Sequence, residues 1–300
     1  MRALITGGNG FVGRHLQAHL ESLGDTVAIL DLPLDITDYE VVRAAVTDAQ
    51  PDAIYHLAAL SHVGTSWTNS SAVVDVNVAG TTNVLAAARE VVPEATVLFV
   101  SSAEVYGPRT PEEMPLREAT EARPTSPYAA SKLAGEAFAL QAVRGFGQRV
   151  IIARPFNHVG PGQSVSFFIP GITSRMVAAT RNATTDIAVG NLTSRRDFTD
   201  VRDVVRAYRL LVEHGVAGEI YVIASGRDVM MQDVADELRQ LVNPQLRFEQ
   251  DPALLRPVDV PLLRGDASKL EAATGWRPEI SWSETLADIV ADVTNAPATN

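Results

Sequence analysis

Tyr128 and Lys132 stand four residues apart in PYAASKLAGEAFALQA, a stretch whose opening Pro127 and apolar periodicity predict a helix over residues 127–142. On a helix this spacing puts a phenol and an ammonium on one face. The cation favours the phenolate, which eases passage of a proton between Tyr128 and a substrate oxygen. The chain has six tyrosines and only two lysines, Lys132 and Lys269, so chance explains the match poorly. Ser102 follows the apolar run 96–100, at a strand end where α/β folds hold their ligands. Its hydroxyl can donate to a carbonyl oxygen while Tyr128 handles the proton. Glu104 can serve as a general base or accept from a substrate hydroxyl. The bland readings are a surface pair for Tyr128 and Lys132, a local cap for Ser102, and a backbone acceptor for Glu104.

Proton transfer to a carbon-bound oxygen suggests hydride transfer to the carbon, and the start of the chain supplies a place for a dinucleotide. Gly7, Gly10 and Gly13 make a GxxGxxG turn between an apolar run at 3–6 and a helix predicted over 12–23, with Phe11 and Val12 at its opening. Gly7 permits the tight turn, Gly10 lets a pyrophosphate reach backbone N–H groups, and Gly13 allows close helix packing. Asp31 ends the next β-rich run, where a carboxylate accepts from ribose hydroxyls and repels a 2′-phosphate; this favours NAD, while a nearby arginine would admit NADP. Asp35 and Ile36 are candidates to hold adenine. Leu57, Ala58 and Ala59 suit close passage of a cofactor after the run 53–57.

The elements that must position these residues alternate. Apolar runs at 3–6, 26–30, 53–57, 96–100 and 150–153 are separated by helical patterns at 12–23, after Asp38, at 74–88 and at 127–142, which predicts an α/β fold with a mostly parallel sheet covered on both faces. Later come helices expected over 169–179, 201–213, 230–242 and 283–293 and strands near 187–189 and 220–223. The expected division is a dinucleotide-binding domain over 1–160 completed by about 198–224, a smaller interleaved lobe from 161–197 and 225–294, and a frayed tail at 295–300.

Composition narrows the partners. The net charge of −11, from 36 acidic and 25 basic residues, disfavours extended nucleic acid and anionic membranes. There is no cysteine, so disulfide and thiolate chemistry are excluded. No apolar stretch approaches the roughly 18 residues of a membrane span, and no signal-peptide core precedes the first strand, so a cytoplasmic location is expected. The six histidines form no HExxH pattern, so no metal site is expected, and no GxSxG elbow points to hydrolysis.

These stretches resemble the extended short-chain dehydrogenase/reductase family, in its nucleotide-sugar branch: TGGNGFVG at 6–13, HLAA at 56–59, NVAGTTNVLAAA at 77–88, SSAEVYG at 101–107, PYAASK at 127–132, RPFNHVGPGQ at 154–163, RRDFTDVRD at 195–203 and RPVDVPLLRGDASKL at 256–270. The resemblance implies a Rossmann-type doubly wound sheet, catalytic roles for Ser102, Tyr128 and Lys132, and sugar-nucleotide contact by Asn157. Three of the stretches are most similar to GDP-4-keto-6-deoxy-mannose reductases and GDP-mannose 4,6-dehydratases, which implies a GDP-sugar substrate with Arg196 and Arg256 near its diphosphate. It also implies a homodimer through a four-helix bundle. Reduction at C4 is the leading expectation; a nucleotide-sugar 4-epimerase and a 4,6-dehydratase are the alternatives. Two departures stand out. Ala103-Glu104 replaces the Asp-Glu pair of dTDP-glucose dehydratases, and the segment from Asp31 to Asp35 is short, as if a strand had been dropped. Such reductases often prefer NADPH, against the indication of Asp31.

Overall fold

The computed structural model describes residues 1–254 and 260–296. Its first half alternates β1 (Arg2–Thr6), α1 (Phe11–Ser22), β2 (Thr26–Leu30), α2 (Tyr39–Ala49), β3 (Ala53–His56), the short helices α3 (Val63–Ser66) and α4 (Ser70–Val74), α5 (Gly80–Val91), β4 (Thr96–Val100), α6 (Pro127–Phe146) and β5 (Val150–Pro155). There follow β6 (Asn157–Val159), α7 (Phe168–Arg181), β7 (Asp186–Val189), β8 (Arg195–Asp200), α8 (Val201–His214), β9 (Ile220–Ile223), β10 (Asp228–Met230), α9 (Met231–Val242), β11 (Arg247–Gln250), β12 (Leu262–Leu263), α10 (Ser268–Thr274) and α11 (Trp282–Asn295).

Six parallel strands form the main sheet in the order β2-β1-β3-β4-β5-β9. The strands are apolar on both sides, and the two-residue alternation divides them cleanly. Ala3, Ile5, Tyr55, Leu98, Ile151 and Ala153 pack with α1 and α8. Leu4, Ile54, Val97, Phe99 and Ile152 pack with α2, α5 and α6 on the opposite face. The chain order reverses between β1 and β3, which opens a crevice at the carboxyl ends of these strands. Asp31 to Asp38 passes from β2 to α2 without a strand of its own, so β2 is the sheet edge.

A second group, β10-β8-β12 with β6 beside β8, and the pair β11-β7 carry a separate core with α7, α9 and α11. The strand β8 was not expected, because RRDFTD has no apolar run or alternation to mark it. Of the expected completing segment 198–224, the part up to Asp200 belongs to β8, while α8 and β9 join the main sheet. The helix expected over 74–88 instead starts at Ser70 and contains a π turn at Asp75–Ala79 before α5. An extra residue in one turn shifts the apolar stripe, so a uniform 3.6-residue period misses the true start. Among the described residues no helix is long and apolar enough to cross a membrane.

The helix α6, which carries the candidate chemistry, is seated unusually closely. A Cβ at Gly135 would lie 2.4 Å from the Phe99 ring, so only glycine lets α6 sit this near β4. One residue on, buried Glu136 takes two hydrogen bonds from buried Arg154 of β5, Nε to Oε1 at 2.8 Å and Nη2 to Oε2 at 2.7 Å. Ser101 donates to the same carboxylate. Replacing Glu136 with Ala should cost about 3–5 kcal/mol, because Arg154 would be left charged and unpaired in the core. Urea denaturation checks this, and a Glu136→Leu, Arg154→Met double variant should recover most of the loss.

Candidate active site

The crevice continues into a cleft of about 1250 Å³ between the main sheet and the second group of strands. Gly7, Gly10, Phe11, Val12, Gly13, Asp31, Asp35, Ile36, Leu57, Ala58, Ala59, Ser102, Glu104, Tyr128, Lys132, Asn157 and Arg196 all line it. Arg256 lies outside the described residues.

The glycine turn has a shape that side chains would block. Gly7 has φ +72°, and a Cβ there would come within 2.8 Å of the Ala58 nitrogen. At Gly13 a Cβ would be 2.4 Å from the Gly8 carbonyl oxygen, so α1 packs directly on the turn. Gly10 caps α1 without a side chain, leaving the first backbone N–H groups of the helix open for an anion. Asp31 is braced by the backbone: Oδ2 accepts from Asn9 N at 2.7 Å and Oδ1 from Leu32 N at 2.8 Å. Each carboxylate oxygen keeps a lone pair for a ribose hydroxyl. Asp35 accepts from Thr37 N at 2.9 Å, while the Ile36 side chain is buried in the core and its carbonyl is taken by Asn83.

The catalytic candidates meet at the end of β4. Tyr128 and Lys132 are both buried and both line the cleft. Burial pushes the Tyr128 phenol up to about 12, against a hydrogen bond with Ser102 that pulls it down; Glu104 adds a further upward push. Burial draws the Lys132 ammonium down to about 8, opposed by Glu136 one turn along α6. Lys132 Nζ donates to the Val100 carbonyl at 2.8 Å, and the Ser102 hydroxyl accepts from Glu104 N at 3.2 Å. Asn157 is exposed on β6, and Arg196, on β8, donates to the Arg195 carbonyl at 2.9 Å.

Several contributors were not singled out from the sequence. Asn77, inside the π turn, is buried; its Nδ2 donates to Ser131 Oγ at 2.9 Å, and Ser131 in turn donates to the Tyr128 carbonyl at 2.7 Å. Asn77 also exchanges hydrogen bonds with the Leu60 backbone, tying the loop after β3 to α6. His56 bridges Thr6 and Thr81 at 2.7 and 2.9 Å, and burial drives its pKa down to about 3, so it is a neutral strut. Asn77 and Thr81, polar residues four apart and so on one helix face, were the available sequence clue. Arg175 of α7 and Tyr208 of α8 also line the cleft, but each comes from a distant helix with no local motif. Among the described residues no cluster of three or more His, Asp or Glu side chains is arranged to hold a metal ion.

A family model described as GDP-mannose 4,6 dehydratase matches residues 32–289. GDP-6-deoxy-D-mannose reductase of Pseudomonas aeruginosa is 36% identical over 295 residues, 97% of this chain and 96% of that protein. Among solved structures, RMD from P. aeruginosa complexed with NADPH superposes with a TM-score of 0.88 at 34% identity, covering 98% of this chain and 99% of the other. UDP-glucose 4-epimerase of Thermus thermophilus, complexed with NAD, also reaches 0.88, at 27% identity and 99% and 100% coverage. With a match spanning most of its length and a relative this similar over nearly all of both chains, the protein belongs to the GDP-mannose 4,6 dehydratase family, in the nucleotide-sugar branch of the extended short-chain dehydrogenase/reductases.

Proposed function

We propose that the protein reduces the C4 ketone of a GDP-linked 4-keto-6-deoxy sugar, with NADH as the hydride source. The observation that carries this reading is the Tyr128 phenol, kept protonated by burial beside Ser102, in the same cleft as the glycine turn. The P. aeruginosa reductase, similar over nearly the whole chain, supports the substrate class. The cleft exceeds the several hundred Å³ that one small ligand fills, which suits a dinucleotide and a sugar nucleotide held together.

The residues fit a nicotinamide dinucleotide: the open α1 amides and the side-chain-free Gly7 and Gly10 would hold its pyrophosphate, Asp31 its adenosine ribose, and exposed Leu32 and Leu34 would flank its adenine. Bound there, such a cofactor supplies the hydride that reaches C4. Tyr128 donates its proton to the C4 oxygen as negative charge develops. Ser102 donates a hydrogen bond to the same oxygen. The Lys132 ammonium, anchored on Val100, lowers the cost of the phenolate left behind. Glu104, beside Tyr128, accepts from a sugar hydroxyl.

The segment from Asp31 to Asp38, DLPLDITD, carries three carboxylates and no cation, which supports NADH over NADPH although the P. aeruginosa structure holds NADPH. Exposed Val74, Phe138 and Phe146 on α4 and α6 support a homodimer that joins these helices across a two-fold axis. The location consistent with this reading is the cytoplasm.

Mixing the protein with GDP-4-keto-6-deoxy-mannose and NADH should consume the reduced-nicotinamide absorbance, and Tyr128→Phe should slow this by about 10²–10⁴-fold while still binding NADH. Epimer formation from a plain hexose nucleotide without added cofactor, or a keto product from GDP-mannose, would replace the reductase with the epimerase or the dehydratase. The Lys132 ammonium is the charged form below about pH 8, so the kcat/KM of reduction should fall as pH rises through about 8. Asp31→Asn should narrow the preference for NADH over NADPH in kcat/KM by about tenfold, a change in one charge-assisted contact.

A further inference from the structure

Arg175 lines the cleft with much of its bonding capacity unused. It lies within α7, half-buried, and its guanidinium donates only to backbone carbonyls: Nε to Gly171 at 3.3 Å, and Nη1 to Ala188. Arginines whose side chains are more deeply buried pair with carboxylates, Arg109 with Glu113, Arg154 with Glu136 and Arg209 with Asp25. Arg175 has no carboxylate partner among the described residues. A guanidinium has five N–H donors, so three remain, including both on Nη2. Burial lowers the pKa of Arg175, and no carboxylate among the described residues opposes that shift.

We infer that Arg175 reads the nucleobase of the sugar nucleotide, donating from its guanidinium fork to O6 and N7 of guanine. This rests on the GDP-sugar reading above. The apolar lining of the cleft favours a base over a diphosphate as its partner. Val165, Phe167 and Leu254 line the same cleft and are 61, 38 and 44% exposed, apolar side chains that the flat faces of a base would cover. The fork is planar and presents adjacent donors, which match the adjacent acceptors on the O6/N7 edge of guanine. Uracil has no such pair, since its O4 neighbours a C–H. The inference makes Arg175 a residue that selects the nucleotide and takes no part in moving hydride or proton.

The test is calorimetric titration of the NAD-saturated protein with GDP, IDP and UDP. IDP keeps O6 and N7 but lacks the guanine amino group. Arg175→Met should weaken GDP and IDP alike by about ten- to hundredfold and leave UDP nearly unchanged. Arg175→Lys, which keeps the charge and the fill but not the fork, should follow Arg175→Met; its retention of wild-type GDP affinity would overturn the inference. Parallel weakening of all three nucleotides would also overturn it, by assigning the arginine to the diphosphate, and leaves the reductase reading standing on its hydride-transfer test. Wild-type protein that binds UDP as tightly as GDP removes both this inference and the GDP part of the reading beneath it.

Discussion

The seating of α6 on β4 and β5 is the constraint from which the site follows. Gly135 removes the side chain that would hold the helix off Phe99, and the Glu136 carboxylate clamps Arg154 and Ser101 across the same contact. These residues lie directly below Lys132, so the clamp also fixes how far the phenol and the ammonium project into the cleft. A buried ion pair is a poor general source of stability, because desolvation offsets much of the attraction. Its use here is geometric: a bidentate pair tolerates one helix position, where apolar packing would tolerate several.

Burial then sets the protonation states. Burial holds the Tyr128 phenol well above its ordinary value and the Lys132 ammonium below its own, so at neutral pH the site rests as a neutral acid beside a cation. That is the state a reduction consumes. The expected through-helix effect of Lys132 on Tyr128 is not the main influence here; the Ser102 hydroxyl is the group that pulls the phenol down, and Lys132 is tied to the Val100 carbonyl. The neutral polar chain from Thr6 through His56 and Thr81, and the Asn77 link to Ser131, let this floor be polar without carrying further charge.

The second group of strands gives the cleft its other wall. Asp197, buried on β8, accepts from the Ser225, Gly226 and Gly265 backbone and joins the end of β9 to the segment after β12. Burial nevertheless raises its carboxyl. Asp203 of α8 does the same for the Glu279 and Ile280 backbone, so residues far apart in the chain are joined.

What could be read from the amino-acid order alone is whatever depends on short spacing. The glycine turn, the strand and helix alternation of the first half, the four-residue step from Tyr128 to Lys132 and the strand-end Ser102 are all local patterns, since backbone freedom and helical periodicity act within a few residues. The short strands β6, β8, β10 and β12, two to six residues each, have no such pattern, because each is too short for a period to show and its partner is distant in the chain. The π turn around Asn77, the Glu136–Arg154 clamp and the presence of Arg175 and Tyr208 in the cleft were decided only by the tertiary structure. Each depends on which distant surface a side chain meets when the sheet closes, and burial, which sets both charge state and bonding need, exists only once that surface is in place.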